Sequence, residues 1–591
     1  MRDGKGGRTI VLVRAIKSIH PLIVPGVLSL MLALLSACAS APRKAAPEAH
    51  DAAALTVVAE IALKRGDCKE AAETYAKAAA VGAASLARRA SEVAVACEHL
   101  PAAWQSVSRW RTLAPQDPEA AALYAAVALK LYRLPEARSA IGEFSHAKNS
   151  ARSSQDTGLP ELAALLLEHS DASAVLTVMG GALELQDPSP DTLALLGELA
   201  LDSFDAKRAE HYAEQALQHD GKDFAAMRVL ARAYVMHGDA PNAIATARHA
   251  MIADSARGAF ELAEILTDLD RLEEAHQELE RLRNTNAPTA EIDRRLALLA
   301  FDSGDLDEAR QRFAELASNG EASDSALLYL ADIAARDGDA DRALAGYRKL
   351  ADSSVALPAR SRAAALLMAR KDRAGALTLL DDYATSHPES EFELTLAKAR
   401  LLADHGEADT GLTLLVAALD RHPGHPSIEY DRAVILERAG RVGESVEVLE
   451  RLLTQRPDDP VLTNALGYTL ADHNLELPRA ESLIQRALTV SPDSPAMLDS
   501  LGWVKYREGD AKGAAPMLAR AYSIQHDSEI AAHWGEVLWA SGAHQEARRV
   551  WAAALAREPS SEPLKATLAR LLPEPKEAKD SRGSPRSQDP R

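Results

Sequence analysis

The sequence predicts an all-α fold: an array of about fifteen helix–turn–helix units closed by a C-terminal capping helix. Three observations predict it. A template of about 34 residues recurs three times between Asn464 and Leu572. Turn signals continue at that spacing back along the chain, and the fourteen intervals from Gly66 to Gly542 average 34 residues. The composition is rich in Ala and Leu, 26% charged and 4% aromatic, and the alternating Val/Ile/Thr runs that mark strands are scarce. A chain of 591 residues would ordinarily divide into about four domains. Repeats remove that expectation, because each unit packs only on its neighbours and no single core limits the length.

The template is clearest at the C-terminal end. A Leu-Gly or Trp-Gly pair opens each unit: Leu466-Gly467, Leu501-Gly502 and Trp534-Gly535. A small residue follows (Ala480, Ala514, Ala547), then a bulky apolar one (Ile484, Leu518, Trp551), then a second Ala (Ala487, Ala521, Ala554). Gly and Ala suit the place where the two helices of a unit, A and B, cross. The bulky residue is expected to fill the gap toward the next unit. Pro492 and Pro559 end the B helices of the first and third units, since proline cannot continue a helix. This pattern resembles the tetratricopeptide repeat, and the resemblance implies a right-handed superhelix of stacked units.

The turn between helices A and B can be tracked through the chain. Its best form is Gly-Asp, three variable residues, then Ala, at Gly66-Asp67, Gly238-Asp239, Gly304-Asp305, Gly338-Asp339 and Gly509-Asp510. Gly406, Gly440 and Gly542 mark the same place. Glycine tolerates the left-handed conformation at a helix C-terminus. Weaker units put the turn near Glu98, Tyr132, Ser170, Phe204, Asp270, Lys371 and Asn474. Spacing is least regular around 150–190. Possible seams near 286–290 and 352–360 lead to an expected division into arrays 51–290 and 291–572, the second ending in a capping helix from Ser561 to Leu572.

Residues 1–37 read as an export signal: a basic start (Arg2, Lys5, Arg8, Arg14, Lys17), an apolar stretch from Pro21 to Leu35, then Leu35-Ser36-Ala37-Cys38. That last run resembles a bacterial lipobox. The resemblance implies acylation of Cys38 and, with Ala39 rather than Asp following, retention at the outer membrane on its periplasmic face. Acyl chains anchor at roughly 0.8 kcal/mol per buried CH₂. Residues 38–50 are Ala/Pro-rich and polar, and are expected to be a tether. Residues 573–591 are polar and carry no apolar stripe, so they are expected to be disordered.

Formal net charge is −19, and removal of residues 1–37, which carry +4, leaves −23. That argues against a nucleic-acid partner, which requires basic patches. It also argues against a body lying flat on anionic lipid. Cys68 starts helix B of the first unit and Cys97 ends helix A of the second. Helices B and A run antiparallel, so these ends meet and a Cys68–Cys97 disulfide is expected; the alternative is two buried thiols.

No catalytic constellation is present: no His-Glu-x-x-His, Gly-x-Ser-x-Gly, P-loop or dinucleotide glycine pattern. The run His422-Pro-Gly-His425 resembles a metal pair only superficially and is assigned to an inter-unit loop. Asp381-Asp382 and Asp458-Asp459 read as solvated caps. No enzyme activity, cofactor or metal is expected.

The resemblance to tetratricopeptide repeats further implies that the helix A faces line a concave groove. Carried onto the last three units, the groove positions pick out Asn464, Tyr468, Asp499, Trp503, Tyr506, Arg507, His533, Glu536 and Trp539. Tyr, Trp and Arg dominate protein-binding hot spots. Binding is the expected role of Asn464, Asp499 and Arg507. Trp503 and Trp539 are open between binding and packing, and Trp534 and Trp551 are assigned to packing.

The phrases NALGYTLAD, DSLGWVKYREGD and AAHWGEVLWASGAHQEARRVW are similar to those of large proteobacterial outer-membrane repeat lipoproteins. Members of that group act as adaptors for a periplasmic carboxy-terminal-processing protease and its cell-wall hydrolase substrates, and this is what the resemblance implies here. Similar repeat lipoproteins serve as assembly factors for secretion, pili or exopolysaccharide export, or as subunits of outer-membrane assembly platforms, and these readings stay open.

Overall fold

The computed structural model describes residues 48–150, 158–184, 188–285, 289–318, 323–387 and 390–572. The signal segment 1–37, Cys38 and the tail 573–591 lie outside the described residues. The tether is described only from Glu48, where the first helix already begins. The described residues form 31 helices, from Glu48–Lys64 to Glu562–Leu571. Thirty of them pair as helices A and B of fifteen units, and the last is the cap. Its N-terminus is held by Ser561, whose hydroxyl accepts from the Leu564 amide. Among the described residues no helix is long and apolar enough to cross a membrane.

Thirteen of the fifteen intra-unit turns share one hydrogen-bond pattern. At Gly238 the amide donates to Val235 O (2.9 Å) and the next amide, of Asp239, to Tyr234 O (2.8 Å). These paired bonds tie the helix end and require a left-handed residue between them. Fourteen of the fifteen turn positions have positive φ, and six of those carry side chains: Glu98, Tyr132, Phe204, Asp270, Lys371 and Asn474. Lys371, for example, donates to Met368 O and Asp372 to Leu367 O, both at 2.9 Å. The Asp that follows caps helix B: Asp67 accepts from the Glu70 amide at 3.0 Å, Asp339 from Arg342 at 3.0 Å and Asp510 from Gly513 at 2.9 Å. This cap survives in units that have lost the glycine, at Asp205 and Asp372. Ser170 is the exception. Its backbone is extended (φ −156°), and Asp171 alone starts the next helix.

Helix crossings follow the template. A Cβ on Gly467 would lie 2.7 Å from Ile484 Cγ1, and one on Gly502 would lie 2.6 Å from Leu518 Cγ. The bulky helix B residue therefore sits on the glycine of its own unit, and it also packs toward the next: Leu518 clusters with Val537, and Trp551 with Leu564 of the cap. Ala480, Ala514 and Ala547 are fully buried beside these contacts.

The chain forms two compact units. The first holds residues up to Pro188 with Pro388–Phe392 and Leu415–Ile428; the second holds Ser189–His387, Glu393–Leu414 and Glu429 onward. The expected division near 290 is not where the chain divides. One apolar cluster runs from Ala231 to Leu299 and packs Leu279 and Leu282 with Ile292 and Leu296, so the core continues through that position.

Remote repeats meet inside each unit. In the first, Lys69 Nζ donates to Asp420 O (3.0 Å), His422 Nδ1 lies 3.1 Å from Cys97 O, and His425 Nε2 lies 3.2 Å from Glu98 Oε2. The His422–His425 loop is thus buried against the second turn of the array. In the second, Asp493 N donates to Phe204 O (2.9 Å) while its carboxylate accepts from Ala206 N (3.0 Å), and Arg557 pairs with Asp270. Ala206–Asp493 and Asp270–Arg557 are each 287 residues apart, about eight and a half repeats, so the second unit coils back on itself at a regular pitch.

Candidate functional site

The groove residues lie on three successive A helices, Pro460–Asp472, Pro495–Arg507 and Ser528–Ala540. Pro at the start of the first two and Asp459 and Asp527 as N-caps set where these helices begin. Consecutive A helices lie side by side, so a residue reaches its counterpart about 34 positions away.

That register joins most of the predicted residues into one polar row. His533 Nδ1 lies 2.9 Å from Asp499 Oδ2, and its ring stacks on Trp503 with centroids 4.1 Å apart. Trp503 Nε1 donates to Asp472 Oδ1 at 3.0 Å. Tyr468 OH donates to Glu529 Oε1 at 3.1 Å, and Tyr506 OH approaches Glu536 Oε1 at 3.5 Å. Arg570 of the capping helix forms an ion pair with Glu536. Arg507 donates to Asn474 Oδ1 (2.9 Å) and to the Asp472 carbonyl (3.0 Å).

Burial separates these residues into two sets. Asp499, Trp503, His533 and Glu536 are 4–9% exposed. They are consumed by each other and by Arg570, so the expectation that Asp499 reads a partner is corrected, and Trp503 packs. Asn464, Tyr468, Tyr506, Arg507 and Trp539 are part-exposed and form the accessible rim. Asn464 Oδ1 is shielded and has no hydrogen-bond partner. Trp539 stacks on His544 at 4.1 Å and lies 5.8 Å from Trp551, with the Arg548 guanidinium over its ring. Trp534 and Trp551 pack in the cluster under the cap.

The electrostatics of the row follow from this burial. Desolvation of His533 works against its charged form, yet the adjacent Asp499 carboxylate and its hydrogen bond outweigh it and hold the imidazole above its ordinary value. Burial and the Glu529 carboxylate push the Tyr468 phenol upward. Cys68 and Cys97 lie far from this row, with Cα atoms 5.3 Å apart and their sulfurs paired as a disulfide.

Four partners in the row are not among the predicted groove residues: Asp472, Glu529, Asn474 and Arg570. Complementary residues one repeat apart find Asp472, Asn474 and Arg570, whereas Glu529 lies 61 residues from Tyr468, nearly two repeats. The same rule gives Arg232–Glu261 and Arg400–Asp431, each a two-pronged contact between consecutive A helices.

Three segments, residues 195–254, 294–358 and 396–460, match the family model described as tetratricopeptide repeat. These segments, about a third of the chain, are tetratricopeptide repeats. A TPR repeat-containing protein of Pseudomonas aeruginosa is 27% identical over 190 residues, which is 32% of this chain and 32% of that relative's length. Among solved structures, a tetratricopeptide-repeat protein of Parabacteroides merdae is 18% identical and covers 42% of this chain and 98% of its own (TM-score 0.30). The APC/C hetero-tetramer Cut9–Hcn1 is 15% identical, covering 88% of this chain and 96% of its own (TM-score 0.28). The repeat array is a protein–protein interaction scaffold.

Proposed function

We propose that this repeat protein is a non-catalytic adaptor, tethered by acylated Cys38 to the periplasmic face of the outer membrane, that binds a periplasmic processing protease together with its cell-wall hydrolase substrates. The observation that carries the reading is the rim formed by Asn464, Tyr468, Tyr506, Arg507 and Trp539 over the buried Asp499–His533 row. A row locked from beneath presents its rim without further ordering, which lowers the entropic cost of binding.

Affinity capture from detergent-solubilised envelopes tests the reading. The bait is the full mature chain, beside a variant altered only on the rim: Asn464→Ala, Tyr506→Ala, Arg507→Ala. A serine protease and cell-wall hydrolases recovered with the wild type and lost with the variant support the adaptor. Recovery of an export channel or a pilus component instead overturns it in favour of an assembly factor.

A further inference from the structure

Just beyond the groove, two consecutive A helices bring together one imidazole and two carboxylates. Glu437 is next to last in the helix Pro426–Arg438, Asp472 ends Pro460–Asp472, and His473 is that helix's C-cap. One ligand atom from each lies within 4.8 Å of the other two. We propose that Glu437, Asp472 and His473 form a binding site for a late first-row divalent cation, Zn²⁺ foremost.

The geometry argues for an ion over a plain ion pair. His473 Nε2 and Glu437 Oε1 are 3.4 Å apart, beyond the usual N–H···O range of about 2.7–3.2 Å. Two tetrahedral ligands at about 2.1 Å from a zinc ion are themselves about 3.4 Å apart. The third oxygen lies within 4.8 Å of both. The charge count agrees: two carboxylates face one imidazole. Arg507, on the following A helix, is turned instead to Asn474 Oδ1 and the Asp472 carbonyl.

The carboxylates are also held from outside the cluster. Thr469 Oγ1 donates to Glu437 Oε2 at 3.3 Å, and Trp503 Nε1 donates to Asp472 Oδ1 at 3.0 Å. Each donor fixes one oxygen and leaves the other for a ligand, which is the outer-shell arrangement that orients metal-binding carboxylates. His with two carboxylates suits zinc and its neighbours rather than calcium or magnesium, which take oxygen alone. Three protein ligands leave one position open to water. All three side chains are half-buried, so an ion has a path in.

The test is calorimetric titration of the chelator-stripped, full mature chain with Zn²⁺ alone, repeated on His473→Ala and Glu437→Gln. The wild type is expected to bind one equivalent, and each variant to lose at least tenfold in affinity. Trp503→Phe, which keeps a ring but removes the donor to Asp472, should weaken binding by roughly tenfold. Co²⁺ substituted for Zn²⁺ should give the visible absorption of a low-coordinate site in the wild type and lose it in His473→Ala. Circular dichroism of each variant separates lost binding from lost fold, and His473 is exposed enough to be replaced without cost to the core. Equal Zn²⁺ affinity in wild type and both ligand variants, or no binding by the folded wild type, would overturn the proposal. The result is independent of which protein the rim binds.

Discussion

Gly535 and Trp551 occupy one volume: a Cβ on Gly535 would lie 2.6 Å from Trp551 Cδ1 and closer still to Nε1. Helix A of the last unit crosses helix B on this contact, and the capping helix packs over it through Leu564. Trp551 is 1% exposed, among the largest fully buried side chains of the chain. Gly535→Ala should therefore destabilise the last unit by about 1–3 kcal/mol through overpacking. Hydrogen exchange of helix His544–Arg557 reads the loss locally. Adding Trp551→Leu to Gly535→Ala should recover part of it, whereas Trp551→Leu alone should destabilise by opening a cavity.

The turns make opposite predictions for two side chains in the same conformation. Lys371 is exposed with φ +65°, which costs an L-residue roughly 1–2 kcal/mol, while glycine's extra unfolded-state entropy returns roughly 0.5–1 kcal/mol of that. Lys371→Gly should stabilise its unit by up to about 1 kcal/mol. Gly338 has φ +80° and open space where a Cβ would stand, so Gly338→Ala should cost about 1 kcal/mol from the backbone alone. Thermal melts of both variants check the pair.

The His533–Asp499 contact predicts a pH dependence. The folded imidazole titrates above the ordinary histidine value of about 6.5. Its contribution is therefore present in full below that value and fades as pH rises through the raised one. The stability difference between wild type and His533→Gln should shrink with rising pH across that window. A constant difference would mean that His533 acts through packing on Trp503 alone.

The disulfide at the start of the array closes a loop across the first two units, with 29 residues separating Cys68 and Cys97. Replacing both with Ser should cost about 3–4 kcal/mol in the first units by loop entropy. Alkylation followed by mass spectrometry should find neither thiol free before reduction. Hydrogen exchange should place the loss in helices Glu48–Lys64 to Leu100–Leu113, leaving the C-terminal units unchanged.

How much of this is legible in the sequence differs by the kind of residue. The turns are readable even without glycine, because Glu98, Tyr132 and Phe204 stand one repeat length from their neighbours and the paired backbone bonds force the same conformation on any side chain. Ser170 stands at the expected place but makes an extended join, since no such bond pair forms there. The groove residues are readable as positions, but the burial of Asp499 and His533 depends on how closely consecutive A helices approach, which the repeat alone does not specify. His422 and His425 look like loop residues, and nothing in the repeat pattern marks Asp493. Each instead contacts a repeat hundreds of positions away, a consequence of superhelical pitch that no local pattern encodes.

The proposed adaptor role depends most directly on the C-terminal rim being the contact surface. A photo-crosslinking residue placed at Tyr506 in the full mature chain, in living cells, should capture a periplasmic processing protease, while the same residue at exposed Arg549 on helix B should not. Capture of that protease from Arg549 and not Tyr506, or of an export component from Tyr506, would contradict it.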